Sequence, residues 1–179
     1  MLKWLMWVAL FSVGSIFLRI DPAQCQNISY ALDPNVVLKQ ISERGAVIAV
    51  QKLYEHPDDW EHVLGKIKEG DEAWLRVAIE LKPGTDAGSS SMLTEAIGLA
   101  LLHAPGRVLR IVPPTFPLES ICSTRHDPLP TYSLAIDELE ELKKSVAAVN
   151  DSDLLTRRDD CLRLLEASRM HIKHFFGVK

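Results

Sequence analysis

The sequence predicts an all-α protein, an irregular stack of short antiparallel helices followed by a C-terminal α-hairpin. Two observations carry this prediction. Apolar residues recur at steps of three and four along nearly all of the chain after residue 25, which is the spacing of one helix face. Prolines and small polar residues stand where these runs begin, and glycines or prolines stand where they end. The length of 179 residues suits one folded domain, which we expect over residues 26–179.

Residues 1–25 are predicted to be a secretion signal peptide. Lys3 gives a short basic start, and the fifteen residues 4–18 carry no charge. That length matches the apolar core of a signal peptide and is short for crossing a hydrocarbon layer about 30 Å thick. A cut after Cys25 leaves small residues at the two positions that the peptidase recognises, and a cut after Ala31 also fits. The alternative is that this segment is not cleaved and anchors the chain. It would then be the only part of the chain that contacts a membrane.

The charge and cysteine content agree with export. Removing residues 1–25 takes away two basic residues and one acidic residue and leaves 18 basic and 23 acidic, a net charge of −5. An acidic surface does not favour nucleic acid, so we expect no nucleic-acid partner. Cys122 and Cys161 then remain as an even pair, which predicts a disulfide in an oxidising compartment. We expect a periplasmic or secreted protein, with two unpaired buried thiols as the alternative.

The first two helices are predicted from the sequence around Pro34 and Gly45. Asp33 and Pro34 are typical of an N-cap and a first helical position, and Gly45 punctuates the run. The next run begins with β-branched residues, as a strand would. Its longer pattern favours a helix whose apolar side contains Ala46, Val47, Val50, Leu53 and Tyr54.

The next two helices are predicted to pack as an antiparallel hairpin. Pro57 with the acids after it begins one helix, and the pair Gly70-Asp71 ends it and caps the next. The connection is so short that the two should lie side by side. Trp60 and Trp74 fall on their apolar stripes and are assigned to the core.

Residues 82–88 are predicted to be a loop, and the serines at 89–91 to lead into a helix over 92–102. That helix is apolar on most of its circumference, so we expect it to be the most buried one. Gly98 inside it costs about 1 kcal/mol against alanine. Close approach of a neighbouring helix would explain a glycine there.

The rest of the chain is predicted to hold a Pro-rich loop and two long helices. A short apolar segment over 105–112 precedes the loop at 113–130, which contains five prolines and has room for one short helix near residues 118–122. The closing helices form an α-hairpin, with the turn and the cap over 150–153. The predicted disulfide would join the loop to the last helix and close about 40 residues, which adds roughly 4 kcal/mol at most.

The short helices are loosely similar to the helical stacks of HEAT and armadillo repeats. Their starts near residues 34, 57 and 88 are unevenly spaced, and no sequence repeats. The similarity describes an architecture and not membership of a family. An irregular helical bundle is the equal alternative.

Four polar residues that precede the 92–102 helix are predicted to contact a partner: Thr85, Asp86, Ser89 and Ser90. A glycine-containing loop with hydroxyl groups at a helix N-terminus can present hydrogen-bond donors. It lacks the Gly-Lys-Ser/Thr of a phosphate-binding loop, and no strand precedes it. Loops held by a rigid scaffold often bind partners, so we favour protein contact over a nucleotide site. A plain connecting loop with a serine cap is the alternative.

Two groups of titratable residues are weaker candidates. His171 and His174 are three residues apart on one helix, but no third metal ligand accompanies them, so we predict no metal and no cofactor. His56, Asp58, Asp59 and His62 gather near one helix start, where an acid–base role would need a cleft. Capping is the preferred role for the two acids.

These observations predict an exported, non-enzymatic helical protein that binds another protein. An inhibitor, such as an immunity-type protein that guards its own cell against a toxin, is one concrete form. The first alternative is an envelope enzyme with a site built from scattered residues, such as the group over 56–62. The second is a small-molecule carrier that uses the apolar helix over 92–102.

Overall fold

A computed structural model describes residues 32–123 and 131–178, and these residues form an all-helical fold without strands. The predicted signal peptide and residues 124–130 of the predicted loop lie outside the described residues. The all-α class is confirmed for the part that is described. The helices are α1 (Pro34–Arg44), α2 (Ala46–Glu55), α3 (Pro57–Lys68), α4 (Glu72–Leu81), α5 (Ala87–Ala100), α6 (Pro105–Ile111), α7 (Leu118–Ile121), α8 (Tyr132–Ala147) and α9 (Leu155–Phe175).

The predicted caps fix the starts of α1 and α4. The Asp33 carboxylate accepts a hydrogen bond from the backbone N–H of Asn35 at 2.7 Å. Asp71 accepts from the N–H groups of Ala73 at 2.9 Å and Trp74 at 3.2 Å. Each carboxylate satisfies N–H groups that the first helical turn leaves without a partner, so both predicted boundaries are confirmed.

Helix α2 is confirmed as a helix, but its predicted apolar side is partly wrong. The helix buries Ala49, Val50 and Leu53, while Val47 and Tyr54 are exposed. Val47 and Tyr54 are seven residues apart and so share one side of the helix, next to the buried side. The residues on both of these sides of α2 are apolar, so the spacing of apolar residues could not separate the buried side from the exposed side.

Helices α3 and α4 pack chiefly on other partners than each other. They do touch, but α3 makes its larger contact with α5, and α4 makes its larger contact with α1. The stripes predicted for them are buried, including Trp60 and Trp74. The stack is therefore built from helices that have one or two other helices between them along the chain, as well as from neighbours.

Helix α5 begins earlier than predicted, and it buries half of its residues, the same fraction as α4, so it is not the single most buried helix that was predicted. Its first residue is Ala87, because Asp86 caps it ahead of the serines. Gly98 faces the short helix α7, and a Cβ atom there would lie 3.1 Å from the carbonyl oxygen of Ile121. Close approach of a neighbouring helix thus accounts for this glycine.

The C-terminal hairpin and the disulfide are both confirmed. Helices α8 and α9 share the most extensive contact in the fold. Cys122 and Cys161 form a buried disulfide across 39 residues, which ties the end of α7 to the middle of α9. Four side chains of alternating charge also link the two helices, in the order Lys143, Glu140, Arg169 and Glu166, and the two cations among them are half-buried.

The cap predicted in the turn of that hairpin is wrong. The residue that precedes α9 is Leu154, and no side chain caps the helix there. Asp151 instead pairs with Arg110 of α6 at 2.8 Å. The acids of the turn therefore attach α6 to the hairpin rather than begin α9. Among the described residues, none of the helices combines the length and the apolar character needed to cross a membrane.

Candidate functional site

A tight 3-10 turn, Lys82–Gly84, places the predicted contact residues against the start of α2. A Cβ atom at Gly84 would lie 2.3 Å from the carbonyl carbon of Ala46 and 2.4 Å from the backbone nitrogen of Val47. Only a residue without a side chain allows this approach. The hydroxyl of Thr85 closes the turn by donating to the carbonyl of Lys82 at 2.8 Å.

Asp86 and Ser89 bind each other in a capping box at the start of α5. Asp86 accepts from the backbone N–H of Ser89 at 2.8 Å and from its hydroxyl at 2.6 Å, and its own N–H lies 3.0 Å from that hydroxyl oxygen. The hydroxyl and then the N–H of Ser89 hold the pKa of Asp86 below its usual range. Ser89 is buried, so of this pair only Asp86 faces solvent.

Ser90 is engaged by a lysine rather than free in a loop. The amine of Lys82 contacts the Ser90 hydroxyl and lies 4.9 Å from the centre of the Phe116 ring. Burial lowers the pKa of the Lys82 amine. Of the four residues predicted to meet a partner, only Asp86 is exposed, and Thr85 and Ser90 are half-buried. Thr85 and Asp86 lie on the connecting turn, and the two serines belong to the first turn of α5.

Beside this turn, three side chains from α2, α3 and α5 form a joined cluster. The Tyr54 hydroxyl donates to the sulfur of Met92 at 3.3 Å, and the indole N–H of Trp60 donates to the same sulfur at 3.5 Å. The rings of Tyr54 and Trp60 lie 4.8 Å apart between centroids, at 34°. Burial and then the negative charge of Asp86 raise the pKa of the Tyr54 phenol, which connects the cluster to the capping box.

We call five residues of this region the α2–α5 surface: Val47 and Tyr54 on one side of α2, Thr85 and Asp86 of the turn, and Met92 of α5. All of them are exposed except Thr85, which is half-buried. Val47 is 63% exposed, Tyr54 43% and Met92 39%. Trp60 beneath them is buried. The surface is thus largely apolar and bears a carboxylate at its edge, and hydrogen bonds or ring contacts hold the side chains of Tyr54, Met92 and Asp86.

The acid–base candidates do not share the groove that the structure shows between α1 and α4. That groove has a volume of about 460 Å³, an apolar floor of Leu38, Ile41 and Ile79, and a rim that includes Arg76 and Glu80. None of the candidates over 56–62 lines it, and neither does any residue of α5. His62 instead packs edge-on against the Trp74 ring at 5.8 Å.

The histidine pair near the end of α9 stands in solvent. His171 and His174 are both exposed. Within residues 32–123 and 131–178, no three side chains of histidine, cysteine, aspartate or glutamate gather closely enough to hold a metal ion.

No family model, curated protein or solved structure matches this chain.

Sequence reasoning found the turn but missed the cluster beside it. Tyr54, Trp60 and Met92 are separated by up to 38 residues, and the first two were assigned to core stripes. One feature of the sequence does point to Tyr54, since it ends the α2 stripe at the border with a charged segment that begins at Glu55. The spacing of apolar residues within one helix does not show which residue, 32 or more positions away, will contact an aromatic ring.

Proposed function

We propose that the chain is an exported, non-enzymatic helical protein that binds another protein through the α2–α5 surface. The observation that carries the proposal is the exposure of Val47 and Tyr54 on one side of α2, with the exposed Met92 of α5 against the Tyr54 hydroxyl. Contiguous apolar side chains in water are typical of contact sites, and tyrosine and methionine are enriched in protein interfaces.

The disulfide supports the export part of the proposal. Bridges such as Cys122–Cys161 form and persist in oxidising compartments, and the reducing cytosol keeps most thiols free. The apolar, uncharged run over residues 4–18 agrees with this. A periplasmic location is the form of export that we favour.

The arrangement of the α2–α5 surface supports binding by a preformed site. The Tyr54 hydroxyl and ring are both engaged, and Asp86 is held by the capping box. Side chains that are already ordered lose little conformational entropy when a partner arrives. An inhibitor needs such a surface, because it must occlude its target with high affinity, and we propose an immunity-type inhibitor as the concrete form.

Photo-crosslinking in cells that export the chain tests this function. Benzoylphenylalanine replaces Val47 in one protein and Val36 in another, since both valines are more than half exposed and Val36 lies on α1 outside the surface. We expect one dominant adduct from position 47 and not from position 36. Adding Met92→Glu should remove the adduct while the circular dichroism spectrum keeps its helical form.

Two results would contradict the proposed function. One is the absence of any adduct at position 47. The other is the same set of adducts from positions 47 and 36, because contacts that do not depend on the surface are nonspecific.

A hydrolase is the second candidate, because the Lys82 amine contacts the Ser90 hydroxyl. A serine beside a lysine whose pKa is lowered can act as nucleophile and base. A fluorophosphonate probe should label Ser90 if this pair is catalytic, and Ser90→Ala should abolish the labelling. Unlabelled protein would exclude an activated serine at this position and leave the contact as support for the turn.

A further inference from the structure

We propose that the partner segment on the α2–α5 surface presents an arginine whose guanidinium group stacks on the Tyr54 ring and pairs with the Asp86 carboxylate. This inference rests on the proposed function, since it names the chemistry of the partner that the same surface takes. The argument comes from the ring, from the charges around it and from the apolar residues beside it.

The Tyr54 ring offers one open face in a fixed orientation. Its other face lies against the Trp60 ring, with 4.8 Å between the centroids, and its hydroxyl is held on the Met92 sulfur. With 43% of the residue exposed, the open face is available to a partner. Planar cations bind the face of an aromatic ring, and arginine does so more often than lysine.

The charged groups around that face are mostly acidic. Asp86 binds Ser89, which lies one turn of α5 before Met92, the residue that holds the Tyr54 hydroxyl. Exposed acids at the junction of α2 and α3 add negative charge at positions 55 and 58. The nearby cations are Lys52, which is exposed on α2, and Lys82, whose amine is directed to Ser90 and the Phe116 ring. A cationic partner therefore complements the surface.

The apolar part of the surface sets what flanks the arginine. Val47 lies on α2 at the end where the Lys82–Gly84 turn packs, and Tyr54 lies on the same side two helical turns further on, about 10 Å along the axis. A segment that places a guanidinium on Tyr54 and continues along α2 reaches Val47 with an aliphatic side chain. The predicted partner segment thus carries apolar residues beside the arginine.

A peptide titration tests the inference. The ¹⁵N-labelled chain, purified after export, is titrated with the blocked peptide Leu-Arg-Leu-Arg-Leu and with its counterpart in which glutamine replaces arginine. We expect the arginine peptide to shift the amide signals of residues 54–60 and 85–89, and the glutamine peptide to bind more weakly.

Four variants separate the contributions. Tyr54→Leu removes the ring, and Asp86→Asn removes the charge but keeps a side chain that can cap the helix. Each variant should bind the arginine peptide with an affinity lower by roughly two- to fivefold. Tyr54→Phe keeps the ring and should bind as the parent does. Glu43→Gln removes a negative charge on α1 and should also leave the affinity unchanged.

The outcomes distinguish this inference from the proposed function. Equal affinities for the arginine and glutamine peptides, or amide shifts confined to residues other than 54–60 and 85–89, would overturn the inference. So would a partner that crosslinks at position 47 to the same extent in the Tyr54→Leu and Asp86→Asn proteins, although the proposed function would then stand. The absence of a crosslinked adduct at position 47 would refute the proposed function, and this result does not depend on the peptide titration.

Discussion

The turn that carries Thr85 and Asp86 depends on the absence of a side chain at Gly84, and Gly84→Ala tests this directly. The added Cβ atom would lie 2.3 Å from a backbone carbon of α2. Two carbon atoms prefer about 3.5 Å, so the turn and the helix must separate by about 1 Å. Backbone cannot move aside as a flexible side chain does. We therefore expect a loss of about 1–3 kcal/mol in the free energy of unfolding.

Gly65→Ala is the matched control for this substitution. A Cβ atom at Gly65 in α3 meets no heavy atom within 4 Å. Alanine is favoured over glycine inside a helix by about 1 kcal/mol, so this variant should be more stable than the parent. The same chemical change is thus expected to act with opposite signs at the two positions.

Urea and thermal unfolding, followed by circular dichroism at 222 nm, measure both effects. A change of 1 kcal/mol shifts the Tm of a domain of this size by about 3 °C. Gly84→Ala should therefore lower the Tm by several degrees. A Gly84→Ala protein as stable as the parent, with Gly65→Ala stabilised as expected, would show that the turn does not lie on α2 and would refute the geometry of the surface.

Three further predictions follow from contacts elsewhere in the fold. Replacing Cys122 and Cys161 together by alanine should lower the free energy of unfolding by up to about 4 kcal/mol in urea titrations, because the bridge restricts about 40 residues of the unfolded chain; an unchanged midpoint would contradict this. The lowered pKa of Asp86 means that its carboxylate stabilises the fold above the ordinary aspartate pKa and loses this contribution as the pH falls through the lowered value. Asp86→Asn, which still caps α5, should therefore flatten the acid side of a plot of urea midpoint against pH, and an unaltered slope would count against the capping box. Hydrogen bonds from Lys143 and then Arg169 hold the pKa of Glu166 low, so Glu166→Gln should lower the Tm at low salt, with a smaller difference at roughly 1 M salt. A salt-independent difference would mean that lost packing, and not charge, explains the effect.

Residues whose partners are local in sequence gave reliable predictions. Asp33 and Asp71 cap helices through N–H groups two or three residues away, so their role is visible in a short window. The start of α5 was misplaced because two kinds of cap competed there. Asp86 and the serines can all cap a helix, and the capping box between Asp86 and Ser89 decided the outcome.

Residues whose partners are distant in sequence could not be assigned from spacing. The pattern of α2 cannot tell which of two adjoining apolar sides the rest of the fold covers. That depends on the turn at Gly84 and on α5, both more than 30 residues away. Asp151 does not cap α9 for the same reason. It pairs with Arg110, which lies 41 residues earlier and cannot be identified from local spacing. The disulfide was predicted because only two cysteines were left to pair.

The two fixed points of the fold are connected through α5. The disulfide holds α7 on α9, and the carbonyl of Ile121 in α7 rests on Gly98 of α5. The other end of α5 carries Met92 and the capping box. Since a helix of 14 residues moves largely as a unit, the bridge positions one end of α5 while the turn at Gly84 positions the other. Side chains at the N-terminal end of a helix that is anchored in this way keep their geometry, so a partner that binds there would meet a preformed surface.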